Sequence, residues 1–441
     1  MFKNALIKGT FILTATGLVT RIIGFFFRIF LSHSFGAEQV GLYQLIFPIY
    51  ALCFSLSSAG IETALARCVA QKMTRGQKKE ADLLLYQSIV LSLSISLALA
   101  FLINKYEALL SIYILGDLRC EKLLGLLSLS LPFASIHSCI CGYYLGLKKT
   151  EVPAISQLIE QIARVASIYI MYVIYTENGG SPSIVIAVAG IAVGEACSTL
   201  FCMRHFSARK HAPFSLSAIT KRKDLLKDLT SLATPLTSNR VLMNVLQSVE
   251  TISIPLSLQR SGLTNAEALS LYGVLTGMAL PCILFPTALT NSVSSALLPT
   301  VAEIQAENKL LRLKRLIQKV FFFGFGLGSI CGIGFLIFGS FIGRQLFDNA
   351  RAGDFIQTLA FICPFLYMNT TLMSILNGLG KATHSFLINI CGLTIRIASV
   401  WFMIPLFSIR GYLWGLLASQ LLVSILCIWQ LKLYIEKREL F

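Results

Sequence analysis

The chain has 441 residues, 55% of them hydrophobic and only 13% charged, with a mean hydropathy of +0.74. A soluble domain carries about 25% charged residues, so the composition excludes an ordinary soluble globule and requires lipid around much of the surface. The formal charge of +16 rests on basic residues scattered over short loops, which fits membrane topology rather than nucleic-acid binding.

Apolar runs long enough to cross a hydrocarbon core of about 30 Å as helices are expected at 9–33, 43–66, 83–104, 123–147, 153–175, 183–203, 231–257, 268–298, 318–343, 355–377, 384–408 and 411–432. Segments such as Phe321 to Ile342 are apolar on every side, unlike the alternating strands of a membrane barrel. Helices are the remaining way to satisfy the backbone in lipid. The first run follows Lys3 and Lys8 like a signal peptide, but it contains Arg21 and Arg28 and leads straight into further runs. It reads as a retained first helix.

Charge placement orients the spans. About 25 of the 37 Lys and Arg fall on one side, including Lys72, Arg75, Lys148, Lys149 and the cluster from Arg204 to Lys227, against about seven on the other. The positive-inside rule then puts both termini in the cytoplasm of a multi-pass protein of the cytoplasmic membrane.

The basic stretch midway along the chain divides it into an N-terminal six-helix bundle at 1–205, a cytoplasmic linker at 206–230 and a C-terminal six-helix bundle at 231–441. An internal repeat supports this division. Pro132 and Phe133 recur as Pro364 and Phe365, and IARVASIY from Ile162 recurs as TIRIASVW from Thr394, both at an offset of 232 residues. Six helices return the chain to its starting side, so the two repeats are parallel, and transporters commonly bind substrate between such halves. Prolines 48, 132, 235, 281, 286 and 364 lie inside or at the ends of spans, where they permit bending.

Ionisable residues at membrane depth cost about 2.5–3.5 kcal/mol on insertion scales, so each needs a compensating role. Arg21 and Arg28 lie seven residues apart, on one face of the first helix. With Arg240 they form a set of planar donor forks matched to diphosphate oxygens. Arg240, Asn244, Gln247 and Thr251 make a polar stripe on the seventh span, expected to line a water-filled cavity. Glu160 precedes Arg164 by four residues, the favourable order for a structural ion pair within the fifth span, and Arg396 repeats Arg164. Glu62, Glu195 and Glu250 are isolated acids that either carry a coupling proton or sodium ion or neutralise a nearby arginine.

The twelve cysteines form no CxxC pair and no metal-ligand spacing with the five histidines. They are expected to be buried free thiols, with no metal site and no cofactor. GxxxxGK[ST], HExxH and a GxSxG with a plausible triad are absent from the sequence, which argues for a transporter rather than an enzyme.

The opening KGTFILTATGLVTRIIGFFFRIFLSHSFGAEQVGLYQL, GYYLGLKKTEVPAISQLIEQIARV from Gly142, FPTALTNSVSSALLPTVAE from Phe285 and LNGLGKA from Leu376 occur in the order seen in one family. The chain resembles the multidrug/oligosaccharidyl-lipid/polysaccharide exporter superfamily, in its oligosaccharide flippase branch that includes stage V sporulation protein B and is related to lipid II flippases. The resemblance implies a V-shaped pair of six-helix bundles that rocks between two accesses, acting as a monomeric unit among membrane lipids. It implies a lipid-linked oligosaccharide or peptidoglycan precursor as substrate, with its diphosphate held by Arg21 and Arg28. Those flippases usually have fourteen helices, and only twelve are read here. The alternative is a proton- or sodium-coupled cation or multidrug antiporter working through Glu62, Glu195 or Glu250.

Overall fold

A computed structural model describes residues 2–207, 222–307 and 309–439. Ten helical segments among them are long and apolar enough to cross a membrane, and a pair bent by 57°, Ala350–Ala360 and Cys363–Gly378, adds an eleventh. One of the ten, Ile12–Thr74, is 63 residues long. At 1.5 Å per residue it measures about 95 Å and must be two spans, which gives the twelve expected from sequence.

In chain order, α1 is Phe2–Leu45, and α2 joins Phe47–Phe54 to Gly60–Thr74 through a π-helical turn, Ser55–Ala59. They are followed by α3 (Lys78–Leu115), α4 (Cys120–Gly146), α5 (Glu151–Glu177) and α6 (Val185–Ser207). The second half comprises α7 (Lys223–Arg260), α8 (Asn265–Leu284 and Thr287–Ala306), α9 (Leu310–Leu346), α10 (the bent pair), α11 (Ala382–Phe407) and α12 (Ile409–Glu439).

The breaks fall where the sequence supplies a reason. Proline has no N–H to donate, so it is tolerated in the first turn of a helix and ends the one before it. Pro48, Pro281 and Pro364 each occupy such a first-turn position, and Pro286 separates the two pieces of α8. In α1 the break is at Gly36, whose φ of 76° only glycine adopts cheaply.

The contacts divide the chain into two units: Met1–Phe27 with Leu42–Ser248, and Arg28–Gly41 with Val249–Phe441. This differs from the division expected at 206–230, whose residues 208–221 lie outside the described ones. The reason is that α7 is a single helix of 38 residues beginning well before the expected 231. Its first two-thirds pack on α2, where Arg240 donates to Thr63 at 3.1 Å, Asn244 to the Ala51 carbonyl at 3.2 Å and Ser248 to the Pro48 carbonyl at 3.3 Å. Segment Arg28–Gly41 likewise joins the second unit, with Ser32 donating to the Phe347 carbonyl at 3.2 Å.

Within each unit the core is a tight helical stack. Leu65, Val69, Leu84, Tyr143, Cys202 and Leu229 sit in the first cluster, and Val301, Met368, Ile375, Ile388 and Cys427 in the second. Lipid is as apolar as leucine, so such stacks are held by close packing and interhelical hydrogen bonds rather than by expulsion of water. Ser58 with Ser92 at 3.2 Å and Ser96 with Ser135 at 3.1 Å are bonds of this kind.

The 232-residue repeat is visible in three dimensions. A Cβ at Gly146 would lie 2.6 Å from the Ala66 carbonyl oxygen and 2.8 Å from the Val69 Cβ; at Gly378 it would lie 3.0 Å from the Leu298 carbonyl oxygen and 2.9 Å from the Val301 Cβ. All three positions are shifted by 232, so the helix-crossing contact of one half recurs in the other, and only glycine fits it.

Candidate functional site

The first unit contains a cavity of about 280 Å³, lined in part by Glu62, His137, Ser138, Cys141, Glu160 and Glu195. Glu62 stands in the first turn after the π-helical turn of α2 and accepts a hydrogen bond from the Ser138 hydroxyl at 2.8 Å. His137, one residue earlier on α4, has Nδ1 3.5 Å from Oε2 of Glu195 on α6. Its Nε2 is 3.0 Å from the hydroxyl of Ser156 on α5. Glu195 is 8% exposed. Its Oε1 accepts from the Tyr50 hydroxyl at 3.5 Å, while its Oε2 is buried without a hydrogen bond. A buried acceptor without a donor costs about 1–3 kcal/mol, and binding a cation or proton relieves that cost.

Glu160 lines the same cavity and forms the intrahelical ion pair with Arg164, as the spacing of the two residues led us to expect. Three carboxylates and a histidine therefore line one small volume, and one of the carboxylates is paired with the half-buried Arg164.

In the second unit the equivalent positions are neutral. At an offset of 232, Glu62 becomes Ser294, His137 becomes Asn369 and Glu160 becomes Gly392. The contact is retained while the charge is lost: where a Cβ on Gly142 would approach the Glu62 carbonyl at 2.7 Å, the Ser374 hydroxyl donates to the Ser294 carbonyl at 2.6 Å. Between α6 and α12 the register is 225. A Cβ on Gly194 would sit 2.8 Å from the Glu160 carbonyl oxygen, and Ser419 donates to the Gly392 carbonyl at 2.8 Å. Glu195 thus corresponds to Gln420. Asn369 donates to the Gln420 side chain at 2.9 Å and accepts from Ser424 at 2.8 Å, so an amide network replaces the histidine–carboxylate pair.

Glu250 has a different fate from Glu62 and Glu195. It is 1% exposed, and its Oε1 accepts both from Arg396 Nε at 2.6 Å and from the Tyr412 hydroxyl at 2.6 Å, while its Oε2, like that of Glu195, is buried without a hydrogen bond; its arginine partner makes it the counter-ion of Arg396. Arg164 and Arg396, equivalent in the repeat, each hold one glutamate, but the partner comes from the same helix in one half and from α7 in the other.

The arginines assigned to diphosphate are distributed over both units. Arg21 is exposed on the first and Arg28 half-buried on the second, with α1 unbroken between them. Arg240 and Gln247 are exposed and Asn244 is half-buried. The α7 stripe is therefore partly interhelical glue: Arg240 and Asn244 bond to α2, while Gln247 presents its side chain outward.

Sequence reasoning missed His137, Tyr50 and Tyr412. His137 lies 58 residues from Glu195, and Tyr412 lies 162 from Glu250. No local periodicity links such partners. The sequence also gave no metal-ligand spacing, yet folding gathers His137, Cys141 and Cys202, whose donor atoms lie within 4.8 Å of one another. The one sequence signal was His137 and Cys141 a helical turn apart.

Comparison with known proteins gives a consistent picture. A family model described as polysaccharide biosynthesis protein matches residues 6–305. Stage V sporulation protein B of Bacillus subtilis (strain 168) is 26% identical over 97% of this chain and 83% of its own length. Lipid II flippase MurJ of the same organism is 20% identical over 90% of this chain and 76% of its own length. Among solved structures, the inward-facing conformation of a multidrug resistance MATE family transporter of the MOP superfamily superposes with a TM-score of 0.70 at 14% identity, covering 96% of this chain and 95% of that one.

Proposed function

Because the chain belongs to the polysaccharide biosynthesis protein family, in the flippase branch of the exporter superfamily, we propose that it moves an anionic lipid-linked oligosaccharide or peptidoglycan precursor across the cytoplasmic membrane by alternating access. That it is a multi-pass membrane transporter follows from the family and the twelve spans. The substrate class is carried by one observation. The arginines at membrane depth on α1 and α7 present exposed or half-buried guanidinium groups, whereas Glu160, Glu195 and Glu250 are held inward by Arg164, His137 and Arg396.

Guanidinium groups suit a diphosphate and disfavour a cationic drug. Each of Arg21 and Arg28 is a candidate to offer a bidentate fork to a diphosphate, while the lipid tail stays in the bilayer. The relatives' names point the same way, one of them being a lipid II flippase. The carboxylates of the first unit are then left for coupling. Glu195, with an unsatisfied oxygen beside His137, and Glu62, bonded to one serine, would take up a proton or sodium ion that favours one of the two access states. Glu250 is occupied by Arg396 and Tyr412 and is assigned no coupling role. Both termini would face the cytoplasm and a single chain would be the transport unit.

The test uses proteoliposomes carrying a fluorescent polyprenyl-diphosphate-linked sugar, with leaflet exposure read by a membrane-impermeant quencher. Arg21→Ala and Arg28→Ala should each slow flipping by about tenfold or more, since a charged hydrogen bond contributes about 1.5–3 kcal/mol. Full activity in both variants would remove the diphosphate clamp. An acid-lined cavity is the feature that favours a cation antiporter, and gradient-driven efflux of a cationic dye from the same vesicles would support that reading instead.

A further inference from the structure

The cavity of the first unit has a second wall, and its two cysteines are left unused by the transport reading. His137 and Cys141 project from one face of α4, and Cys202 approaches them from α6. Cys141 is 7% exposed and Cys202 fully buried. Ser156 on α5 completes the group: its hydroxyl is 3.0 Å from His137 Nε2 and 3.5 Å from Cys141 Sγ, and it donates to the Pro153 carbonyl at 2.9 Å. Among the described residues, only two groups of three or more His, Cys, Asp or Glu place their donor atoms this close, and His137 belongs to both.

We propose that His137, Cys141 and Cys202 form a binding site for a thiophilic d10 metal ion, with Zn²⁺ as the ion to test. Three arguments converge on it. One imidazole and two thiols are the ligand set that soft and borderline ions prefer over magnesium, calcium or sodium. In a tetrahedral zinc site with bonds of about 2.0–2.3 Å, neighbouring donors stand roughly 3.6 Å apart, so donors already within 4.8 Å need only rotamer-scale movement. Charge also balances. Binding releases one proton from each thiol, and two thiolates with a neutral imidazole exactly offset the divalent ion, which avoids burying a net charge.

The fourth position falls to the Ser156 hydroxyl or to a water molecule. Both His137 and Cys141 line the cavity, which gives the ion a way in. The site lies close to the turn joining α4 and α5. Cys141 precedes the end of α4 by five residues and Ser156 follows the start of α5 by five, roughly 8 Å along each helix. A bound ion would thus clamp α4 to α6 beside α5.

The experiment takes the full-length protein in detergent, stripped with a chelator and reduced, and equilibrates it with zinc chloride before desalting. Elemental analysis should find about one zinc per chain. Peptide mapping after maleimide labelling should find Cys141 and Cys202 protected by zinc and the other ten cysteines unchanged. Cobalt in place of zinc should give the thiolate charge-transfer and tetrahedral visible bands. The double variant Cys141→Ser/Cys202→Ser should bind no zinc, whereas Cys427→Ser, at the repeat position of Cys202, should bind it as before. Undiminished uptake by the double variant overturns the assignment, and so does wild-type protein in which zinc leaves the labelling of Cys141 and Cys202 unchanged. The labelling of wild-type protein decides the matter even where the variant does not fold.

Discussion

The two halves share a backbone plan and differ in what they bury. In the first, α2, α4, α5 and α6 surround Glu62, His137, Glu160 and Glu195 with open volume between them. In the second, the same positions hold Ser294, Asn369, Gly392 and Gln420, joined by amide and hydroxyl hydrogen bonds to their neighbours. Packing contacts at Gly146 and Gly378 are retained across the repeat, so duplication preserved the scaffold, while the histidine and carboxylates at these four positions occur in the first half only and the second half buries the Glu250–Arg396 pair instead. The second half shows that the fold does not require charge at these four positions. The charge at those positions in the first half exceeds that requirement, and under the proposed function it is the part assigned to coupling.

The largest expected effect separates the two arginines that the repeat makes equivalent. Arg396→Met leaves Glu250, 1% exposed, without its counter-ion and should cost about 3–5 kcal/mol. It would be read as a steep fall in the melting temperature of the purified protein by fluorescence-detected size exclusion. Arg164→Met should cost clearly less, because Glu160 faces the cavity and can be hydrated or protonated there. Equal losses would break the distinction between the halves.

Next in size are the shared crossings. Gly146→Ala and Gly378→Ala each force a methyl against a carbonyl and a valine, and each should cost about 1–3 kcal/mol. The same assay should give similar values for both, and a large inequality would mean that the repeat is less symmetric than its contacts. The smallest effect is expected at Ser424→Ala, which removes one hydrogen bond to Asn369 worth about 0.6 kcal/mol in a membrane interior. A loss of several kcal/mol there would make the amide network the keystone of the second half.

These features were unevenly legible in the sequence. The twelve spans, their proline breaks and the 232-residue repeat could be read because they are written as local apolar runs and recurring short motifs. The Glu160–Arg164 pair was legible for the same reason, its partners being one turn apart. The counter-ion of Arg396 was not, since Glu250 is 146 residues away and the repeat pointed to Gly392, where no carboxylate exists. The stripe from Arg240 to Thr251 fixed a polar face but not what it meets, and part of that face turned out to bond to α2. Continuation of α7 as one helix was hidden by the basic stretch before it, which looked like a linker. The 232-residue offset already sets Glu62, His137 and Glu160 against Ser294, Asn369 and Gly392, and only the match of Glu195 with Gln420 needs the 225-residue register of α6 and α12, which is read from contacts.

The measurement closest to the central claim converts the first half into a copy of the second. Glu195→Gln/His137→Asn reproduces the Gln420–Asn369 pair in the cavity and keeps hydrogen-bonding capacity for Tyr50 and Ser156. In proteoliposomes with imposed proton or sodium gradients, the variant should remain folded and should flip substrate at a rate that no longer responds to either gradient, while the unaltered protein responds to one of them. An undiminished gradient response in the folded variant would contradict the assignment of coupling to Glu195 beside His137 and would leave Glu62 as the remaining carboxylate.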